Sequence, residues 1–193
     1  MMASVVRKRS GKIANGERGQ ALLELWPVVT LLLILAFGVI DLGRAIWQVQ
    51  VMTGLTREGS NLASRNTSLA DSATAVVSDG AVLNLNGKNA SGNGYGKVII
   101  TSVQNIGGTC IITGQYSTGT LAAQSKIGTY SASPPATGVL PTPCTASSTT
   151  YTIPPLNGTV YVTEVFSAYS PITPLGAFIN FTMPPILYDV AYF

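Results

Sequence analysis

Glu24 is the residue whose chemistry most needs a setting. It lies in RGQALLELW, residues 18–26, at the edge of a run, residues 25–40, that carries no charged side chain. A carboxylate near a bilayer core costs on the order of 3 kcal/mol on insertion scales unless it finds a partner. Two partners are open. One is head-group water, since Glu24 sits near the end of the run. The other needs the chain to be cut after Gly19, which would expose a free amine at Gln20, four residues away on the same helix face.

Other candidate chemistry is sparse. The chain has no histidine, so the usual zinc sites, Ser-His-Asp triads and Cys-His pairs are excluded. The acids are dispersed, without a pair of the glycosidase kind. SGNGYGK, residues 91–97, has Ser91 where a phosphate loop has its first glycine and Val98 where it has a magnesium-binding hydroxyl, so it reads as a turn. No catalytic residue, metal site or cofactor is expected, and the protein reads as a non-enzyme. Asp41 and Arg44, three residues apart at the far end of the apolar run, form either a surface ion pair or a contact that fixes helix depth or engages a partner helix. The two cysteines, Cys110 and Cys144, lie well beyond the run. In an oxidising compartment such a pair is usually a disulfide.

The charge distribution gives the apolar run its meaning. Residues 1–19 hold Arg7, Lys8, Arg9, Lys12 and Arg18 against Glu17, whereas the rest of the chain carries six basic and seven acidic side chains. A basic arm can bind nucleic acid. Directly before an apolar run it instead marks membrane orientation, because Lys and Arg are retained on the cytoplasmic side. With its flanks the run reaches about 20 to 25 residues, roughly what a helix needs to cross about 30 Å of hydrocarbon. The expectation is a single pass through the inner (cytoplasmic) membrane, N-terminus cytoplasmic, C-terminal domain extracytoplasmic, with no nucleic-acid partner.

These elements define three regions. Residues 1–19 are a basic leader, and 20–65 a transmembrane helix extended by an amphipathic stretch. Apolar residues recur there at Leu42, Ile46, Val49 and Met52 to Leu55. Residues 66–193 are β-rich, with strands expected at 82–85, 97–103, 109–115, 159–169 and 186–192. Residues 131–155, which hold six prolines, form a surface loop tied back by Cys144. Within TVYVTEVFSAY, residues 159–169, Glu164 is the single break in an apolar face. The fold class is α+β: a long membrane-spanning helix followed by a small antiparallel sheet.

Several of these residues carry a family resemblance. A basic leader ending in Gly19, an acid at the fifth position after it and an unbroken apolar stretch resemble the processing site of type IV prepilins. More narrowly, Arg18, Gly19, Gln20, Glu24, Pro27, Asp41, Gly43 and Arg44 resemble the start of TadE-like proteins, minor pilins or pseudopilins of the tight-adherence (Flp) pilus machinery. TREGS, residues 56–60, and YSPITPLGAF, residues 169–178, are similar to two further stretches of that family. The resemblance implies a pilin-like fold, cleavage between Gly19 and Gln20 by a prepilin peptidase, and Glu24 as an assembly residue. It also implies partners among other minor pilins, the major pilin and inner-membrane platform proteins, with a final location in the membrane, the pilus or at the cell surface.

A different class remains open. Ala36-Phe37-Gly38 satisfies the small-x-small rule of signal peptidase. Cleavage after Gly38 would release a secreted, Thr-rich adhesive or carbohydrate-binding sheet.

Overall fold

The computed structural model describes residues 15–140, 144, 154–174 and 184–193, with side chains from residue 23 onward. The leader segment 1–14, residues 141–143 and 145–153 of the Pro-rich loop, and residues 175–183 lie outside the described residues.

Helix α1, Asn15–Ser64, runs 50 residues without interruption, about 75 Å at 1.5 Å per residue. Pro27 lies inside it and removes one backbone donor. Three residues on, the Thr30 hydroxyl donates to the Trp26 carbonyl at 2.9 Å, satisfying a polar group locally, as a helix in hydrocarbon requires. Asn66, with φ 67°, turns the chain out of the helix, a left-handed conformation that Asn tolerates better than most residues.

The helix has two regimes. From Leu23 to Ile40 its large apolar side chains are on the surface, and this is the one helix among the described residues long and apolar enough to cross a membrane. From Asp41 a buried stripe begins, and Asp41, Ala45, Met52, Leu55, Thr56, Ser60 and Ala63 face the domain. Of the apolar residues whose spacing extends the helix, Met52 and Leu55 belong to this stripe. Leu42, Ile46 and Val49 are exposed, because the domain packs on the face where small and polar residues let a helix approach a sheet closely.

Helix α2, Leu69–Asp79, follows, capped by Ser68, whose hydroxyl accepts from the Asp71 amide at 3.0 Å. No helix was expected here; the Ser and Ala content hid a short amphipathic turn that Val76 and Ala73 bury. Val82–Leu85 is not a strand either. Ala81–Leu83 forms a 3-10 turn that ends at Asn84 in the left-handed region, and a residue in that region cannot continue an extended chain.

The sheet comprises β1 Gly96–Ile106, β2 Thr109–Gly119, β3 Thr159–Ala168 and β4 Ile186–Tyr192. All neighbours are antiparallel, in the order β2-β1-β3-β4. Successive residues alternate faces, and each face has its own cover. Val98, Ile100 and Val165 pack with Met52, Leu55 and Val76 of the two helices. Val103, Ile112, Val160 and Val162 pack with Ile127 and the cysteines. Burying such a side chain contributes roughly 1.5–3 kcal/mol, so both layers matter to a domain this small.

Candidate functional site

The point where α1 changes regime is built from two distant segments. Asp41 is fully buried, and both of its carboxylate oxygens are engaged by the chain that leaves β3. The Ile172 amide donates to Oδ1 at 3.1 Å and the Thr173 hydroxyl donates to Oδ2. The Tyr169 hydroxyl donates to the Asp41 carbonyl at 2.7 Å. Burial and the nearby Asp41 charge push the Tyr169 phenol above its ordinary value, which keeps it a donor. Three hydrogen bonds thus fasten one helical residue to one loop.

The setting explains why so many donors converge. The uncharged run starting at Leu25 needs about 20 residues to cross 30 Å, which brings the hydrocarbon boundary to the neighbourhood of Asp41 through Arg44. A carboxylate at that depth must be met by protein donors rather than water. Arg44, three residues on, adds a favourable charge but no hydrogen bond among the described residues. It is exposed and lines a groove of about 280 Å³ with Trp47, Gln48, Val82, Asn84 and Tyr95. Gln48, one turn further, donates to the Ser167 hydroxyl at 2.7 Å, so the fastening continues along the helix.

Farther from the membrane the TREGS segment forms the seam between α1 and the sheet. Thr56 donates to the Asp189 carboxylate at 2.8 Å, and Ser60 donates to the Ala191 carbonyl at 3.0 Å and accepts from the Thr163 amide at 3.1 Å. Between them Gly59 has no room for a side chain: a Cβ there would lie 2.8 Å from methyls of Thr163 and Val76. Arg57 and Glu58 point outward.

The opposite face of the sheet carries a second polar cluster. Glu164 is fully buried. Its carboxylate accepts from the Lys126 amide at 2.8 Å, the Tyr188 hydroxyl at 3.1 Å and the Ser125 hydroxyl. The Lys126 ammonium sits 3.6 Å from the centre of the Tyr188 ring. Burial, then the Glu164 charge and hydrogen bond, push the Tyr188 phenol far above its usual range. A disulfide joins Cys110 to Cys144 with Cα atoms 5.3 Å apart, next to the same layer. This cluster ties residues 125 and 126 of the 120–140 loop to β3 and β4.

The residues expected to direct processing are at the other end. Gly19 and Gln20 are helical in α1, and the Gln20 side chain lies outside what the structure describes. Glu24 is on the surface of the helix, about 17 residues and 25 Å before Asp41. The helix does not bring Glu24 and Asp41 together, and no group of His, Cys, Asp and Glu able to hold a metal occurs among the described residues.

Comparison with known proteins bears on this helix alone. Residues 19–61 match the family model described as TadE-like protein. Over that segment the chain is TadE-like. The TadE-like segment starts at Gly19, contains Glu24 and Asp41, and ends just past Ser60 in the helix–sheet seam. That similarity suggests a Tad pilus-associated protein. No curated protein and no solved structure matches the chain.

The seam and the Asp41 fastening were only partly legible beforehand. Asp41 and residues 169–173 are each visible as motifs, but nothing in their sequence positions indicates that they meet. Thr56, Gly59, Ser60 and Glu164 carry no sign of their partners in the sequence. The available signal was the density of small and hydroxyl residues along one helix face.

Proposed function

We propose that the protein is a minor pilin or pseudopilin of a Tad/Flp-type pilus or secretion apparatus, made as a precursor and cut after Gly19 by a prepilin peptidase. The basic leader holds the N-terminus in the cytoplasm, residues from about 23 to 41 span the inner membrane, and the domain from Asn66 onward is extracytoplasmic. Partners are the peptidase, other minor pilins or the major pilin, and membrane platform proteins. The role is non-enzymatic and needs no cofactor.

The observation that carries this reading is the extent of the TadE-like segment, which begins at the proposed cleavage site and continues into the seam that holds the domain. The new amine at Gln20 pairs with Glu24 of its own or a neighbouring helix as subunits assemble. In an apolar bundle such a pair adds little stability but discriminates against wrong registers. Asp41 fixes the domain to the helix at the membrane boundary, so that a force on one moves the other.

Intact mass and N-terminal sequencing of the mature protein test the proposal. An N-terminus at Gln20 is the expected result. An N-terminus at Val39 supports the secreted-sheet alternative instead, and an uncut Met1 removes the prepilin reading. Gly19→Phe should leave the span in the membrane but block the cut, because a bulky residue denies the peptidase access to the backbone.

A further inference from the structure

We infer that the base of the domain is a phospholipid-binding surface, with the Arg44 groove receiving lipid phosphates and a ring of exposed apolar side chains entering the head-group layer. The inference rests on the reading that residues before Asp41 span a membrane.

Five apolar side chains stand exposed at one level of the molecule. Leu42, Ile46 and Trp47 on the helix are 48, 51 and 48% exposed, and Val82 and Ile172 on the domain are each 65% exposed. Their level is fixed by contacts. Ile172 is held by Asp41, and Val82 shares the groove with Arg44 and Trp47. At 1.5 Å per residue, residues 42–47 lie about 3–10 Å beyond Ile40. The polar layer outside each face of the hydrocarbon is about 5–8 Å thick, the difference between a 30 Å core and a 40–45 Å bilayer. Leu42, about 3 Å out, therefore falls within that layer, and Ile46 and Trp47, about 9–10 Å out, stand at its outer margin, continuous with the apolar surface of the span.

Side-chain chemistry selects lipid rather than water or a second helix. Trp is favoured at the head-group level, with its apolar body and single N–H donor. Arg44 presents a guanidinium that binds phosphate oxygens in pairs, and Gln48, Asn84 and Tyr95 add polar groups around the same groove. Among the described residues no acid lines that groove. A packed helix would be expected to meet one continuous stripe on α1, whereas here the apolar groups come from the helix, the 3-10 turn and the loop after β3, encircling the exit of the span.

Site-directed spin labelling of the full chain in vesicles of phosphatidylethanolamine and phosphatidylglycerol tests this. With the native cysteines paired, a single introduced cysteine is the only free thiol. Labels would be placed by Val82→Cys and Ile172→Cys, by Leu33→Cys within the span, and by Ile106→Cys. Ile106 is exposed at the far end of β1, about 33 Å from Gly96. Labels at 82 and 172 should collide with a water-soluble nickel chelate several-fold less often than the label at 106, and Arg44→Glu should raise the collision rate at 82. If 82 and 172 match 106 while 33 reads as hydrocarbon, the lipid surface is wrong and the span stands. Should 33 itself be open to the chelate, the span fails and the inference falls with it. Shielding of 82 and 172 that appears only at high protein-to-lipid ratio would assign the surface to a second copy of the chain and overturn the lipid assignment.

Discussion

The Asp41 carboxylate and the Thr173 hydroxyl, 132 positions apart in sequence, are hydrogen-bonded at the level where the apolar run of α1 ends. One residue carries the end of a membrane segment and the other the exit from the central strand β3. The consequence is mechanical. The domain is gripped at the lowest point of its contact with the helix, so rotation of the helix about its axis is transmitted to the sheet.

Asp41→Asn tests that grip. The amide keeps the size of the carboxylate and can still accept from the Ile172 N–H while its NH2 donates to the Thr173 hydroxyl oxygen, so both hydrogen bonds survive only as weaker, uncharged ones. Hydrogen exchange in residues 169–174 should become faster, while the β1–β3 pairing keeps its protection. The Tyr169 bond goes to the backbone carbonyl and is unaffected by the change. Unaltered exchange in this loop would show that the backbone contact alone suffices.

At the seam, Gly59→Ala adds a methyl where Thr163 and Val76 leave 2.8 Å. Both neighbours are β-branched and stiff, so the helix must move away from the sheet. Overpacking of this kind costs typically 1–3 kcal/mol. Denaturant unfolding of the domain should register that loss, although Ala is the better helix former. A variant as stable as the parent would mean that the helix slides on the sheet without cost.

The Cys110–Cys144 bridge closes a segment of 34 positions, which is worth about 3–4 kcal/mol in the chain-entropy model. Replacing both cysteines by serine should lower unfolding stability by about 2–4 kcal/mol and expose the layer around Ile112 and Ile127 to protease before the helix-facing layer opens. Equal sensitivity of both layers would indicate that packing, rather than the bridge, holds the 120–140 loop.

How far the sequence revealed this arrangement depended on the kind of signal each part carries. A long apolar run after a basic arm reports a membrane-span candidate directly, and the windows 97–103, 109–115, 159–169 and 186–192 mark all four strands, because a strand's signal is local. β3 was legible in its alternation, yet Glu164 looked like an interruption; its three donors come from residues 125, 126 and 188, which no local pattern connects to it. Helix α2 was missed because Ser, Thr and Ala serve equally in turns and in short helices, and only packing of Val76 decides. The apolar spacing from Leu42 to Leu55 marks the helix but not its buried face: Met52 and Leu55 are buried whereas Leu42, Ile46 and Val49 are exposed, because apolar periodicity alone cannot tell a domain-side face from any other. Asp41 and residues 169–173 were visible as motifs, and only the folded chain joins them.

Tyr188 makes the alkaline limb of stability specific. Its phenol is pushed up by burial and by Glu164, whereas in the unfolded chain a tyrosine ionises near pH 10. The protonated form is therefore favoured by folding, so this contribution is fully present below about pH 10 and declines as pH rises beyond it. Tyr188→Phe removes the titrating group together with the hydrogen bond to Glu164, and leaving that carboxylate one donor short costs about 1–3 kcal/mol at neutral pH. Above pH 10 the variant should lose stability less steeply than the parent. Parallel curves from pH 9 upward would show that Tyr188 does not control that limb.

Glu24 separates assembly from insertion. If its carboxylate merely faces head groups, Glu24→Gln changes nothing, because the amide preserves size and polarity. If it pairs with the Gln20 amine inside a helix bundle after cleavage, the same change leaves an ammonium buried without its counter-charge, a defect of roughly 3–5 kcal/mol. That is a factor of more than a hundred in the equilibrium for incorporation, since each 1.4 kcal/mol is tenfold. The expected outcome is a protein inserted in the membrane and cut at Gly19 as usual, yet missing from the assembled complex in crosslinking to partner pilins and in pilus counts. Glu24→Asp keeps the charge on a shorter arm and should recover part of the incorporation, which a simple requirement for side-chain size would not produce. Full assembly of the Gln variant would assign Glu24 to the head-group layer and leave register selection to the apolar helix surface.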